Sequence, residues 1–227
     1  MSLKSKIFAA AATVTLVGAV GAVGAMSANA ATPSCGKNCI DLYSRLFGSH
    51  KSPAFVFNVK GNGTATGTSI ILWQASNSNQ GEDFTISEQG TVNDFFQAGL
   101  VSSALNLHYH SLKAYEIEYS PFGNESGQCI GVGSTAGNGT KVTLQPCGVS
   151  SKTVWVVDSF SAIKGNYVPL INGSDTNFSH PFVLNYPANG YPTDNPRPVL
   201  QTWNLLKFSN GTTVENEMFS ANFGVIK

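Results

Sequence analysis

The chain contains little charge. Of its 227 residues, 13 are Lys or Arg and 13 are Asp or Glu, so charged side chains make up 11% of the sequence and cancel to a net charge of zero. The basic residues are scattered along the chain and form no cluster. Nucleic acids and anionic membranes are bound through a concentrated basic patch, so this composition predicts neither of them as a partner.

Known catalytic signatures are also missing. The sequence has no Gly-x-Ser-x-Gly elbow, no His-Glu-x-x-His, no phosphate-binding loop and no paired-carboxylate signature. His108-Tyr109-His110 is a metal-like pattern, since on a strand both imidazoles would share one face. Two ligands do not make a metal site, and we predict an exposed strand face here. The sequence therefore predicts no enzyme, no metal and no cofactor.

The first thirty residues have the three parts of a secretory signal peptide. Lys4 and Lys6 form a basic start, an uncharged stretch rich in Ala, Val and Gly follows, and Ala28-Asn29-Ala30 is a small-x-small cleavage site. A transmembrane anchor is the alternative, because the stretch could span a bilayer. Ala and Gly contribute little transfer energy, however, and no stop-transfer charges follow. We predict a signal peptide over 1–30 and a secreted mature chain over 31–227.

The four cysteines all lie in the mature chain, at Cys35, Cys39, Cys129 and Cys147. An even number of cysteines in an exported protein implies two disulfides, with three connectivities to choose from. The spacing favours Cys35–Cys39 and Cys129–Cys147, which are both local pairs. A zinc site is the alternative, but the spacings match no common zinc pattern and no His lies beside either pair.

Short alternating runs predict a mostly β chain. Residues 55–59, 115–119 and 154–156 alternate with period two, which places Glu116 and Glu118 together on a solvated face. Asn-Gly pairs, which suit tight hairpin turns, separate several such runs. Closely spaced strands joined by tight turns predict a barrel or a sandwich.

Helical signals are weak. Residues 40–47 could form one or two helical turns, and residues 92–105 fit a helix or a strand.

A threefold repeat decides between a barrel and a sandwich. Each copy has an opening strand, a second strand with Leu at its centre, and a closing segment in which an aromatic residue comes two positions after a polar one. The copies are Val56-Phe57-Asn58-Val59, Ile71-Leu72-Trp73-Gln74-Ala75 and Glu82-Asp83-Phe84; Cys129-Ile130-Gly131-Val132, Thr143-Leu144-Gln145-Pro146-Cys147 and Thr153-Val154-Trp155; Val183-Leu184-Asn185-Tyr186, Val199-Leu200-Gln201-Thr202-Trp203 and Glu217-Met218-Phe219.

This repeat resembles that of the ricin-B-type β-trefoil lectins, which reads roughly Cys-x-Asp-Val, Leu-Trp-x-Cys and Gln-x-Trp, with its two cysteines bonded. The second copy matches best, because Cys129 and Cys147 occupy both cysteine positions and Trp155 the final aromatic. No copy keeps a full Gln-x-Trp. The resemblance implies an all-β chain folded as one β-trefoil with repeats at about 40–90, 112–160 and 166–223; a β-sandwich is the alternative.

The repeat also predicts a shared core. Equivalent apolar side chains from the three copies should converge there and contribute roughly 2–3 kcal/mol each for the large aromatics. They are Leu72, Leu144, Leu200, Phe84, Trp155 and Phe219.

In the ricin-type lectins each repeat can hold a shallow sugar site, built from the Asp, the Trp of Leu-Trp-x-Cys and the Gln. The resemblance places candidate ligand-binding residues at Asn58, Trp73, Glu82, Asn185, Gln201 and Glu217. The first copy keeps both a stacking ring and a polar partner, in Trp73 and Asn58. The alternative is that Trp73 covers the edge of the core and Asn58 caps a turn. The second copy, with Gly131, lacks the polar residue.

The predicted function is that of a secreted, lectin-like carbohydrate-binding module with a glycan or polysaccharide as partner. The alternative is a trefoil that binds an extracellular protein, such as a protease inhibitor or a surface-adhesion factor. The proline-rich segment 190–198 would be a stiff loop suited to that second role.

Overall fold

The structure, a computed structural model, describes most of the chain beyond Pro33, and the described residues all belong to one unit, Thr32–Lys227. They are 39–45, 48–49, 52–53, 55–76, 79–162, 167–177, 179–186, 197–202, 217 and 219–223. The predicted signal peptide, Cys35 and most of segment 190–198 lie outside these residues, so the predictions made for them stay predictions. Among the described residues, no helix is long and apolar enough to cross a membrane.

Strands dominate the described part of the chain, with two short helices between the sixth and seventh strands. The elements are β1 Ile40–Ser44, β2 Gly48–Ser49, β3 Ser52–Pro53, β4 Phe55–Val59, β5 Ile70–Gln74, β6 Phe84–Thr91, α1 Val92–Gln97, α2 Ser103–Tyr109, β7 Lys113–Tyr119, β8 Gln128–Val132, β9 Val142–Pro146, β10 Val154–Val157, β11 Leu170–Asn172, β12 Phe182–Asn185, β13 Val199–Thr202 and β14 Phe219–Phe223.

Six strands form a closed antiparallel ring. The order is β1, β6, β7, β10 and β11, and β14 returns to β1. Val168, just before β11, exchanges two backbone hydrogen bonds of 2.9 Å with Phe219 of β14, and these bonds close the ring. Closure leaves none of these six strands as an open sheet edge.

Three hairpins join successive pairs of ring strands: β4–β5, β8–β9 and β12–β13. They also bond to one another in a repeated way. The backbone N–H of Leu144 donates to Thr68 at 2.8 Å, and that of Leu200 donates to Thr140 at 2.8 Å. A six-stranded ring with three equivalent hairpins is the predicted β-trefoil, and the sandwich alternative is wrong.

The predicted core residues all lie in one buried cluster inside the ring and under the hairpins. Leu72 pairs with Phe57, Leu144 with Ile130 and Leu200 with Leu184, so the three leucines occupy equivalent register positions. The same cluster holds all six side chains predicted to share the core: Leu72, Leu144, Leu200, Phe84, Trp155 and Phe219. Their prediction is confirmed.

The Cys129–Cys147 disulfide predicted from spacing is present. Cys129 is buried where β8 begins, and Cys147 follows β9 directly. Cys39 is also disulfide-bonded.

A helical insertion after β6 forms a second apolar cluster against the outer side of the ring. Thr91 and Asp94 cap α1 reciprocally, and Ser102 accepts a hydrogen bond from the backbone N–H of Leu105 in α2. Val92, Phe95 and Leu105 are buried there, beside outward-facing side chains of β7 and β10. The ambiguous stretch 92–105 is therefore two short helices.

Two local predictions are wrong. Residues 40–44 form β1 and not a helical turn, because they pair along their whole length with β14. His108 and Tyr109 end α2, so His108 and His110 do not alternate on a strand. In the described part of the chain, no group of three or more metal-ligating side chains comes together.

The solvated face predicted for β7 is also wrong. Glu116 is 2% exposed and Glu118 is 5% exposed. Both carboxylates point outward from the ring but are covered by the second hairpin, whose two ends they hold. Glu118 accepts the backbone N–H of Gly127 at 2.6 Å, and Glu116 accepts that of Gly148 at 3.0 Å with both oxygens.

Candidate functional site

The first hairpin presents two predicted ligand residues on its outer face. Phe57 of β4 and Leu72 of β5 form a cross-strand pair that points into the core. Because side chains alternate along a strand, their neighbours Asn58 and Trp73 point to the opposite face. In the register, Asn58 lies across from Ile71, two steps along the ladder from the Val56–Trp73 pair.

Asn58 and Trp73 line the same groove, whose volume is about 300 Å³. The described residues around it are Asn58, Lys60, Gly61, Asn62, Ile71, Trp73 and Asn79. Trp73 is 43% exposed, so it is not a fully buried core side chain. The structure therefore brings together the stacking ring and the polar residue that the sequence singled out.

The turn after β4 adds residues that sequence reasoning missed. Lys60–Asn62 form a 3₁₀ turn in which Gly61 has φ +66° and Asn62 has φ +56°. Glycine and asparagine are the residue types that most easily adopt this left-handed backbone. The turn places Lys60 and Asn62 at the groove. The run Lys60-Gly61-Asn62-Gly63 predicts a turn, but the local sequence does not show which surface the turn borders.

Three asparagine side chains meet around Gly81. Asn79 accepts the backbone N–H of Gly81 through its Oδ1 at 3.0 Å. A Cβ on Gly81 would lie 2.8 Å from the amide atoms of Asn58 and 2.5 Å from Oδ1 of Asn62. The absence of a side chain at 81 thus lets carboxamides from three separate segments approach one point.

The amide of Asn58 carries an unused hydrogen-bonding group. Asn58 is 4% exposed, and its Nδ2 finds no acceptor among the described residues. A carboxamide offers two donors and an acceptor, and a buried donor without a partner costs roughly 1–3 kcal/mol.

Three of the other candidate ligand residues have structural contacts. Glu82 is buried and accepts the backbone N–H of Ser76 at 3.0 Å. In the third copy, Nδ2 of Asn185 donates to Oε1 of Glu217 at 3.3 Å, and both residues are buried. Gln201 lies in β13 opposite Val183, at the register position of Trp73. Ligand contact by these four residues stays a prediction.

In the second copy, the position of Asn58 is filled by neighbouring atoms. A Cβ on Gly131 would lie 2.8 Å from the carbonyl oxygen of Lys152 and 2.9 Å from Cγ2 of Thr153. Thr153 is itself buried and hydrogen-bonded to Glu116. No room remains there for a polar side chain directed at a ligand.

A second cavity of about 300 Å³ lies beside the helical insertion and is acidic. It is lined by Glu88, Gln89, Asp94, Phe95, Ala98, Leu100, Glu116 and Gly148. Two of its carboxylates have structural partners. Glu116 accepts a hydrogen bond from the backbone N–H of Gly148, and Asp94 caps α1. The hydrogen bonds from the Thr91 backbone and side chain lower the pKa of Asp94.

The fold and the groove define the class of this protein as a β-trefoil with an open, amide-lined face on its first hairpin. No known family model matches the sequence, and no curated protein matches it. Among solved structures, it is similar to the designed 3-fold symmetric protein ThreeFoil, with 12% identity over 82% of this chain and 98% of that one, at a TM-score of 0.52. It is also similar to the Rhizoctonia solani agglutinin, with 11% identity over 82% of this chain and 95% of that one, at a TM-score of 0.50. Identities this low show the shared fold alone.

Proposed function

We propose that this protein is a secreted, lectin-like carbohydrate-binding module of the ricin-B type whose sugar site is the groove on the first hairpin. The observation that carries the proposal is that Asn58 and Trp73 border one shallow cavity. The agglutinin among the similar structures supports the proposal. Secretion is proposed from the signal sequence over 1–30.

The chemistry of the groove suits a sugar ring. A pyranose has an apolar C–H face, which an exposed indole such as Trp73 can cover. Its hydroxyls need directional partners, and the amides of Asn58, Asn62 and Asn79 offer both donors and acceptors. The volume of about 300 Å³ lies at the small end of ligand sites, which suits one ring better than a long oligomer.

The test is a glycan and cell-wall polysaccharide binding screen on the mature chain, followed by Trp73→Ala. We expect the variant to lose binding because the stacking surface is gone. We expect its thermal unfolding to stay close to that of the parent, because Trp73 is 43% exposed. Phe160→Ala is the matched control, since Phe160 is an exposed aromatic that does not line the groove, and it should keep binding.

A parent chain that binds no glycan in the screen would overturn the proposal. So would equal loss of binding in Trp73→Ala and Phe160→Ala, since that result would point to a general effect of removing an exposed ring.

A further inference from the structure

The first hairpin groove has an uneven charge. The described residues that line it are three asparagines, one tryptophan, Gly61, Ile71 and Lys60, and they include no Asp or Glu. Lys60 is exposed and makes no ion pair with any described residue. Glu82 follows Gly81 in the chain, but it is buried, and its Oε2 is engaged by the backbone N–H of Ser76. The groove therefore offers a positive charge to a ligand.

This lysine belongs to the first copy alone. The repeat places Gly133 at the equivalent position in the second copy and Pro187 in the third. The copy whose groove lies among the described residues is thus the copy that carries a cation beside it. In a chain with few charges and a net charge of zero, this placement is informative.

From this charge distribution we propose that the groove selects an anionic sugar, meaning a pyranose ring that carries a carboxylate or a sulfate. The inference rests on the proposed function and names its ligand class. The ring stacks on Trp73, a hydroxyl meets the amide of Asn58, and the anionic substituent faces the ammonium group of Lys60. A charge-assisted hydrogen bond is about twice as strong as a neutral one, so the anion adds selectivity among rings of similar shape.

The test compares pairs of sugars that share one ring skeleton, with the anionic group present in one member and masked or removed in the other. Calorimetry on the mature chain at low salt would use trigalacturonic acid against its full methyl ester, and a sulfated galactan oligosaccharide against its desulfated form. We expect the charged member of at least one pair to bind roughly threefold to tenfold tighter, as fits a partly exposed ion pair. The uronate pair and the sulfate pair separate the two sources of negative charge.

Variants of Lys60 make the test specific. Lys60→Gln removes the charge at similar length and should erase the preference, so that the charged and neutral members of a pair bind this variant equally. Lys60→Arg keeps the charge and should keep the preference. Lys113→Gln is the control for the loss of one positive charge, because Lys113 is exposed and does not line the groove, and it should leave the preference as in the parent.

Three results would overturn the inference. Equal binding of the charged and neutral members of both pairs would refute anion selection and leave the proposed glycan site standing. A preference for the charged sugar that persists in Lys60→Gln would show that a group other than Lys60 binds the anion. Failure of the parent to bind these sugars or any other glycan in the screen would refute the proposed function and the inference together.

Discussion

The first and second hairpins occupy equivalent places in the trefoil but are used differently. The second is fastened by the Cys129–Cys147 disulfide and by two buried carboxylates of β7 that hold its ends. Its outer face is filled at Gly131 by Thr153. The first has Val56 and Ala75 at the cysteine positions of the repeat and an open groove at Asn58.

The difference shows that pseudosymmetric copies can share core positions and differ at their outer positions. The core positions are kept in all three copies, because each hairpin must cover the same shared interior. The outer positions are free to diverge, because they contribute little to that interior. In the second copy the position of Asn58 is taken up by internal contacts around Gly131, and in the first copy Trp73 is exposed at the groove. The following experiments test this difference between the two hairpins.

The largest contrast should come from two tryptophans. Trp155 of the second copy is 1% exposed and donates its indole N–H to the carbonyl oxygen of Ile130 at 2.8 Å. Trp155→Ala should therefore lower the free energy of unfolding by roughly 3–5 kcal/mol. Trp73→Ala should cost much less, since nearly half of that side chain is in water. Denaturant unfolding of both variants measures the difference, and equal losses would contradict the assignment of core and surface roles.

The disulfide should contribute the next largest effect. Its cysteines are 18 residues apart, and the loop entropy removed from the unfolded chain suggests about 3 kcal/mol of stability. Cys129→Val with Cys147→Ala copies the first hairpin, and Cys129→Ser with Cys147→Ser is the polar comparison. We expect both variants to unfold at a lower denaturant concentration than the parent. The serine variant should be the less stable of the two, because Cys129 is buried and a serine there places a polar group in the core. A valine–alanine variant as weak as the serine variant would show that apolar packing does not replace the crosslink.

A smaller loss of stability is expected from adding a side chain at Gly131 in the second copy. Gly131→Ala places a Cβ 2.8 Å from the backbone carbonyl of Lys152, so we expect a loss of roughly 1–3 kcal/mol in chemical denaturation. Gly133→Ala is the matched control, since its nearest contact would be 3.6 Å away, at the amide nitrogen of Gln145. Equal stability of the two variants would mean that the second hairpin has more room than the contacts around Gly131 show.

The smallest effect is a pH dependence from Glu118. Burial raises the pKa of Glu118 above its ordinary value of 4.5, and repulsion from Glu125 and Glu116 adds to this, against the hydrogen bonds from Gly127 and Ser126. A raised pKa means that the folded state holds the proton more tightly than the unfolded state does. The stability that Glu118 contributes is therefore fullest below about pH 4.5 and is lost as the pH rises through the folded-state pKa.

Glu118→Gln should remove this dependence, because the amide resembles the protonated acid. Thermal unfolding from pH 4 to pH 7 should show the variant gaining stability relative to the parent as the pH rises. Glu88→Gln, at an exposed position of β6, should run parallel to the parent. A Glu118→Gln curve that also runs parallel would refute the raised pKa.

Several features follow from local sequence pattern. Alternation located β4, β7 and β10, because strand periodicity is visible within a few residues. The repeat fixed the equivalence of Leu72, Leu144 and Leu200. It also pointed to Asn58 and Trp73. The start of α1 could also have been predicted from the sequence, since Thr91 and Asp94 have the spacing of a capping box.

Other features depended on contacts between distant segments. The strand β1 exists because β14, at the other end of the chain, pairs with it. Glu116 and Glu118 alternate as a solvated face would, yet the β8–β9 hairpin covers them.

The repeat and its resemblance to the ricin-B-type lectins predicted the trefoil, the core leucines and the pair Asn58 and Trp73, and the cysteine spacing predicted the Cys129–Cys147 bond, because each of these leaves a pattern in the sequence. Tertiary structure alone decided that Lys60, Asn62 and Asn79 join that pair at one groove, and that Gly131 has no room for the equivalent side chain. The physical reason is that a side chain's exposure and partners are set by segments that fold over it, and periodicity along one strand carries no record of them.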